Sequence, residues 1–286
     1  MTQVIKRKPV FKDGHAFPDR TLVMGIVNMT PDSFSDGGKW NTVDAAVERA
    51  HTLVEQGADI IDVGGESTRP GSRRLSTEEE LARILEAVKT LTQEGIAVSV
   101  DTVHAGTAQQ VAAAGAAILN DVSGGCYDPD MLRVMADSDA VVILQHWRGF
   151  PGNPDERVLK SNAVPTVIDE LQRQVDAALE AGVKRERIVI DPGLGFAKTA
   201  SISWEVFAGH QQIEQALDLP QLIGTSRKRF LQTISGPNAN VDDLTRATTA
   251  ICSAHGTWGV RVHEAVGNVA AVQAASTYCH ARMEIE

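Results

Sequence analysis

The chain has 286 residues, of which 43% are hydrophobic, enough for one large domain or two small ones with a sizeable core. Its formal net charge of −10 argues against general nucleic-acid or acidic-membrane binding, although a locally basic pocket remains compatible with it. The three cysteines, Cys126, Cys252 and Cys279, lack paired spacing and read as ordinary buried thiols of a reducing compartment.

Residues 1–20 are basic at the start but have no apolar run behind them, so a signal peptide is not expected. No segment approaches the roughly 18 continuous apolar residues of a membrane span, and a soluble, cytoplasmic protein is expected. Residues 1–20 read as an extension packed on, or leading into, a domain that occupies 21–286.

The first strand-like run is TLVMGIV (21–27), followed by the small, polar segment NMTPDSFSDGG (28–38). That segment has neither the glycine spacing of a phosphate loop nor the His/Cys pairs of a zinc site. An amphipathic helix follows, with Val43, Val47, Ala50, Leu53 and Val54 on one face and Gly57 as its stop. ADIIDVG (58–64) is the second strand and leads into GESTRPG. The next helix carries Leu81, Ile84, Leu85, Val88 and Leu91, with Ser76 and Glu79 spaced as a capping box and Gly95 at its end. IAVSVD (96–101), AAILNDV (116–122) and AVVILQH (140–146) are strands, with helices fitting near 105–114 and 129–137. Val167, Ile168, Leu171, Val175 and Leu179 form another helical face before Gly182. RIVIDPG (187–193), LPQLIGT (219–225) and WGVRVH (258–263) complete the strands, and helices fit near 203–217, 242–255 and 264–281.

The strands are continuous apolar runs, which suits parallel strands covered on both faces. Eight of them, each followed by a helix and with no linker-like stretch, predict a single (β/α)8 TIM barrel. A doubly wound open sheet is the alternative.

In a barrel the C-terminal ends of the strands converge on one mouth. Here those ends carry Asn28, Asp101, Asn120, Asp121, Asp191, the segment TSRKRF, Arg261 and His263. Any one of these could be a helix cap, an Asx-turn or a solvated helix start. Together they place carboxylate, amide and cationic groups on one rim. Asp101, Asn120 and Asp191 can pair with a flat heterocycle bearing amino and lactam edges, while Lys228, Arg261 and His263 supply positive charge for an anionic group. The expected ligand is a nitrogen-rich ring carrying a phosphate or pyrophosphate.

The motifs NMTPDSFSDGG, GADIIDVGGESTRPG, SVDT, LNDVSG, DPGLGFAKT, GTSRKRF and RVH occur in this order. Together they resemble the dihydropteroate synthases of folate synthesis, from about residue 21 to the C-terminus. HWRG at 146–149 is similar to the actinobacterial branch. The resemblance implies condensation of 6-hydroxymethyl-7,8-dihydropterin pyrophosphate with p-aminobenzoate, assisted by Mg2+, in a homodimer. It implies catalytic roles for Asp101, Lys228, Arg261 and His263, and pterin binding by Asp101, Asn120, Asp191, Lys228 and Arg261. Thr68, Arg69, Pro70, Phe196 and Ser226 match the p-aminobenzoate pocket. Asn28, Arg69, Arg261 and His263 match the pyrophosphate site, with Asn28 also the Mg2+ ligand. The segments 28–38 and 68–70 match two loops that close over substrate, excluding water from a reactive intermediate.

Two positions depart from the family pattern. Gln145-His146 stands where many relatives have Met-His, altering one wall of the ring pocket, and Ile202-Ser203 stands where they have His-Asn, with Ser203 still able to cap a helix. Two other functions fit part of the pattern: a pterin-binding methyltransferase domain, which would not be expected to keep both GESTRPG and TSRKRF, and a catalytically silent pterin-binding paralogue.

Overall fold

The computed structural model describes residues 7–12, 14–30, 42–67, 71–236 and 239–285. In chain order the first half runs β1 (Leu22–Asn28), α1 (Thr42–Glu55), β2 (Ile60–Gly64), α2 (Thr77–Gln93), β3 (Val98–Asp101), α3 (Ala105–Ala113), β4 (Ile118–Asp121), α4 (Met131–Asp137) and β5 (Val141–Gln145). The second half runs α5 (Ala163–Glu180), β6 (Ile188–Asp191), α6 (Ala200–Ala208), α7 (His210–Leu217), β7 (Leu222–Ile223), α8 (Arg229–Gln232), α9 (Val241–Ala254), β8 (Gly259–Val262) and α10 (Val266–Ile285).

The strands form one parallel sheet in the order β6-β5-β4-β3-β2-β1-β8-β7. A parallel bridge between Ile190 and Gln221 joins its two ends, with Ile190 N–H donating to Pro220 O at 2.9 Å. The sheet is therefore closed, and the open-sheet alternative does not hold.

Alternation along the strands explains why the runs are apolar throughout. Val23, Ile61, Val63, Val98, Val100, Leu119, Val142, Leu144, Ile188, Ile190 and Val260 pack outward into the layer shared with the helices. Leu22, Met24, Ile60, Ile118, Val141, Ile143, Val189 and Leu222 belong to a separate cluster filling the barrel interior. Each strand thus buries both faces, the condition for a parallel sheet. Phe11 and Phe17 pack against the interior cluster beside Trp258, and Val10 N–H donates to Glu186 O at 2.8 Å. Residues 7–12 and 14–20 in this way shield the end of the barrel opposite the mouth from water.

The helix signals act as their chemistry dictates. Ser76 caps α2 in a reciprocal box with Glu79, a device that stabilises by about 1 kcal/mol. Gly57, Gly95 and Gly182 adopt positive φ where their helices end. Three expectations need correction. Val54 on α1 is exposed, and Ala46 is buried on that helix instead. The helix expected over 203–217 is two helices that meet at Gly209, where a Cβ would stand 2.4 Å from a Val164 methyl on α5. Thr199 caps α6 by accepting from Ile202 N–H; Ser203 lies inside the helix, where its Oγ donates to Thr199 O.

Candidate active site

The same alternation that fills the barrel floor aims polar side chains into its mouth. Two residues beyond an inward apolar position lies another inward position: Ile60 leads to Asp62, Ile118 to Asn120, Ile143 to Gln145 and Val189 to Asp191. The strand register sets Asn28, Gly64, Asp101 and Asn120 side by side across β1 to β4, and Gln145 beside Asp191.

At the centre lies Arg261. Its Nε donates to Asp62 Oδ2 at 2.6 Å and its Nη2 to Asp101 Oδ2 at 2.8 Å. Asn120 Nδ2 donates to Asp62 Oδ1 at 3.3 Å, which fixes the amide from below. Burial pushes the Asp101 carboxyl up to about 7 against the pull of Arg261, with Asp62, Glu80 and Asp121 adding to the rise. Burial works against the Arg261 charge, but Asp62 and Asp101 outweigh it and hold the guanidinium firmly protonated.

Asp191 and Lys228 form the opposite wall. Asp191 Oδ1 accepts from Gly193 N–H at 2.7 Å. Burial raises its pKa, opposed chiefly by the charge of Lys228. Lys228 donates to Leu194 O and places its ammonium 5.0 Å from the centre of the half-buried Phe196 ring. Burial lowers the lysine to about 8, with Asp191 supporting the charge. The neighbouring strand position is Gln145, whose Nε2 donates to Val122 O at 3.2 Å.

Ser226 and His263 lie at the third side. Ser226 Oγ accepts from the His263 backbone N–H at 3.1 Å and lies 2.9 Å from its Nδ1. Arg49, from α1, donates to His263 O at 2.7 Å. Asn28 ends β1 near Asp101: a Cβ on Gly64 would lie 3.7 Å from Asn28 Oδ1 and 3.8 Å from Asp101 Oδ2. Glycine at 64 keeps these two side chains in reach of the same space.

The mouth therefore gathers three groupings: Asp101, Asn120 and Arg261; Asp191, Lys228 and Phe196; Ser226 and His263. Thr68, Arg69 and Pro70 lie outside the described residues, as do positions 31–41 of the first loop. Sequence reasoning missed Asp62, which is fully buried beneath the first grouping. Its signal was a carboxylate inside the apolar run IIDVG, where no exposed face exists to hold it. Also missed was Lys198, in the stretch DPGLGFAKT, which is buried against His146. Cys126 is exposed and free, contrary to the expectation of a buried thiol, because it sits in the loop after β4; Cys252 and Cys279 are buried.

For Mg2+ the donors are few but of the right kind. No group of three or more His, Cys, Asp or Glu side chains able to hold a metal ion occurs among the described residues. Asn28 and Asp101 nonetheless offer hard oxygen atoms to one space. Magnesium bound chiefly through substrate phosphates and water needs no more than one or two such ligands.

A closed parallel barrel whose mouth combines buried carboxylates with arginine and lysine defines an enzyme that binds a polar ring and an anion. The family model described as pterin binding enzyme matches residues 24–263, and the chain belongs to that family, among its dihydropteroate synthases. The dihydropteroate synthase of Mycobacterium leprae is 41% identical over 272 residues, covering 92% of this chain and 95% of that protein. That of Bacillus subtilis is 40% identical over 265 residues, covering 92% and 89%. The structure of the Xanthomonas albilineans dihydropteroate synthase with 4-aminobenzoic acid superposes with a TM-score of 0.83 at 36% identity, covering 91% of this chain and 93% of that one.

Proposed function

We propose that the mouth binds 6-hydroxymethyl-7,8-dihydropterin pyrophosphate and p-aminobenzoate and joins them as 7,8-dihydropteroate, with pyrophosphate released. The observation that carries this reading is the inward-facing set Asp101, Asn120 and Asp191 disposed around the Arg261 guanidinium. Two carboxylates and an amide match the donors and acceptors of an amino-lactam ring, and the relative with bound 4-aminobenzoic acid supports the second substrate.

The chemistry follows from charge. The exocyclic C–O bond breaks with its electron pair leaving on pyrophosphate, and the electron-rich dihydropterin carries the resulting positive charge. Asp101, half-buried next to the ring site, favours that cation when ionised. Arg261 and His263 stabilise the charge that develops on the leaving group, and Arg69 is assigned to the same task. The aromatic amine then forms the new C–N bond and gives up one proton, so no protein nucleophile is required. Lys228 holds the ring edge, while Phe196, Ser226, Thr68 and Pro70 frame the p-aminobenzoate. Mg2+, when bound, would sit against Asn28 and supply neutralisation of the phosphate charge.

A homodimer formed through exterior helices, working in the cytoplasm, completes this reading; no helix among the described residues is long and apolar enough to cross a membrane. Pyrophosphate release that requires both Mg2+ and p-aminobenzoate is the decisive assay. Turnover without p-aminobenzoate, or none with it, would overturn the assignment. Light scattering on the purified protein decides the dimer.

A further inference from the structure

Lys198 is a cation buried in the protein interior, only 9% exposed, yet its three protons all have acceptors. Its Nζ lies 2.9 Å from Gly193 O, 3.2 Å from Phe196 O and 2.9 Å from His146 Nδ1. His146, fully buried just after β5, reaches Glu170 Oε2 on α5 through Nε2 at 2.8 Å. An ammonium donating three times, a neutral imidazole protonated at Nε2 and an ionised Glu170 together satisfy every contact. Burial holds the imidazole down to about 4, with the lysine charge acting in the same direction, which agrees with a neutral ring.

The segment gripped in this way is costly to hold by itself. Within five residues, Gly193, Gly195 and Ala197 all have positive φ, at 66°, 77° and 47°. Its carbonyls face two ammonium groups, Gly193 O and Phe196 O toward Lys198 and Leu194 O toward Lys228. The same turn supplies the N–H that orients Asp191 and carries the Phe196 ring.

We propose that Lys198 is a positioning residue for the condensation, its ammonium, held by the His146–Glu170 pair, fixing the 193–197 turn so that Asp191 and Phe196 stand where the two substrates need them. This rests on the reading of the site given above. Lys198 itself contacts neither substrate in this role; it acts through the turn. The charged groups around it are Glu170 on α5, Arg148 after β5, Asp191 at the end of β6 and Lys228 after β7. Burial draws the lysine down to about 7, so the grip weakens as pH rises through neutrality.

Two variants test this. Lys198→Met keeps length and volume but removes the charge and all three hydrogen bonds. KM for p-aminobenzoate should rise about tenfold, as loss of roughly one net hydrogen bond of positioning would give, and the melting temperature should fall as well because Gly193 O, Phe196 O and His146 Nδ1 lose their buried partner. A purely structural lysine would lower the melting temperature with KM intact, so KM separates the two readings. Glu170→Gln lies on a partly exposed helix face and keeps the fold even if the first variant does not. Removing the charge that supports protonated Lys198 should move the alkaline limb of kcat/KM for p-aminobenzoate to lower pH. Lys228 takes its shift from burial, Asp191 and Arg261, so a limb displaced by Glu170→Gln belongs to Lys198. Unchanged KM in Lys198→Met, or an unmoved limb in Glu170→Gln, overturns the inference alone. A wild-type protein that forms no dihydropteroate overturns the functional reading and this inference with it.

Discussion

Arg261 of β8 and Asp62 of β2 stand 199 residues apart in the chain, and their side chains meet at 2.6 Å beneath the mouth of the barrel. Asp62 also accepts from Asn120, so one fully buried carboxylate sets both a cation and an amide of the ring site. Neither group could hold a single orientation by itself: the arginine stem is long and the amide can flip. The pairing converts flexible side chains into a fixed surface, and desolvation makes it sensitive to loss of either partner.

Asp62→Asn should therefore weaken pterin binding although Asp62 lies below the ring site. Replacing the charged acceptor under Arg261 should cost about 1–3 kcal/mol in stability, the scale of one mismatched buried polar contact. Thermal unfolding of Asp62→Asn, Arg261→Ala and the double variant measures the coupling. Strictly additive effects would show that the contact carries no energy.

At Asp191 the expected effect is on affinity. Asp191→Asn preserves shape but turns one acceptor into a donor, facing Gly193 N–H on one side and the ring's amino edge on the other. Pterin affinity should fall roughly 5- to 150-fold, corresponding to about 1–3 kcal/mol. Calorimetry with the pterin pyrophosphate checks this, and wild-type affinity would remove Asp191 from the site.

His263 and Asn120 should separate kinetically. The former lies beside Ser226 at the anionic end, so His263→Ala should lower kcat together with kcat/KM, as expected for a contact that strengthens when the C–O bond breaks. Asn120→Ala, on the ring side, should raise KM more than it lowers kcat. A destabilised but fully active His263→Ala enzyme would mean that this histidine only braces the turn after β8.

The raised pKa of Asp101 makes a statement about stability. In the unfolded chain its pKa is about 3.9, and in the folded site it is about 7, so between these values the folded protein binds more protons. The contribution is fully present below about pH 4 and is lost as pH rises through about 7. Asp101→Asn should flatten the melting temperature across that window relative to wild type. An identical pH profile in the variant would place the titration elsewhere.

Order of binding is a further consequence of the proposed function, in which the segments 28–38 and 68–70 are expected to close over the substrates. p-Aminobenzoate should bind poorly to the free enzyme and well once the pterin pyrophosphate is in place. Tight calorimetric binding of p-aminobenzoate to the free enzyme would contradict this.

What the sequence by itself determined was local. Apolar runs two-sidedly buried, the Ser76–Glu79 capping box and the glycines that end α1, α2 and α5 are decided within a few residues of chain, and they were legible. Strand-end placement likewise marked Asp101, Asn120, Asp191 and Arg261, because period-two alternation carries an inward position to the next inward position. Tertiary structure alone decided which of these groups touch. Asp62 stood unmarked within an apolar strand until β8 delivered a guanidinium to it, and Lys198 stood unmarked within DPGLGFAKT until β5 and α5 brought His146 and Glu170. The break at Gly209 was hidden for the same reason, since Val164 crowds it from another helix. A buried charge is tolerable only with its partners, and those partners are supplied by closure of the barrel, which brings together segments far apart in the chain.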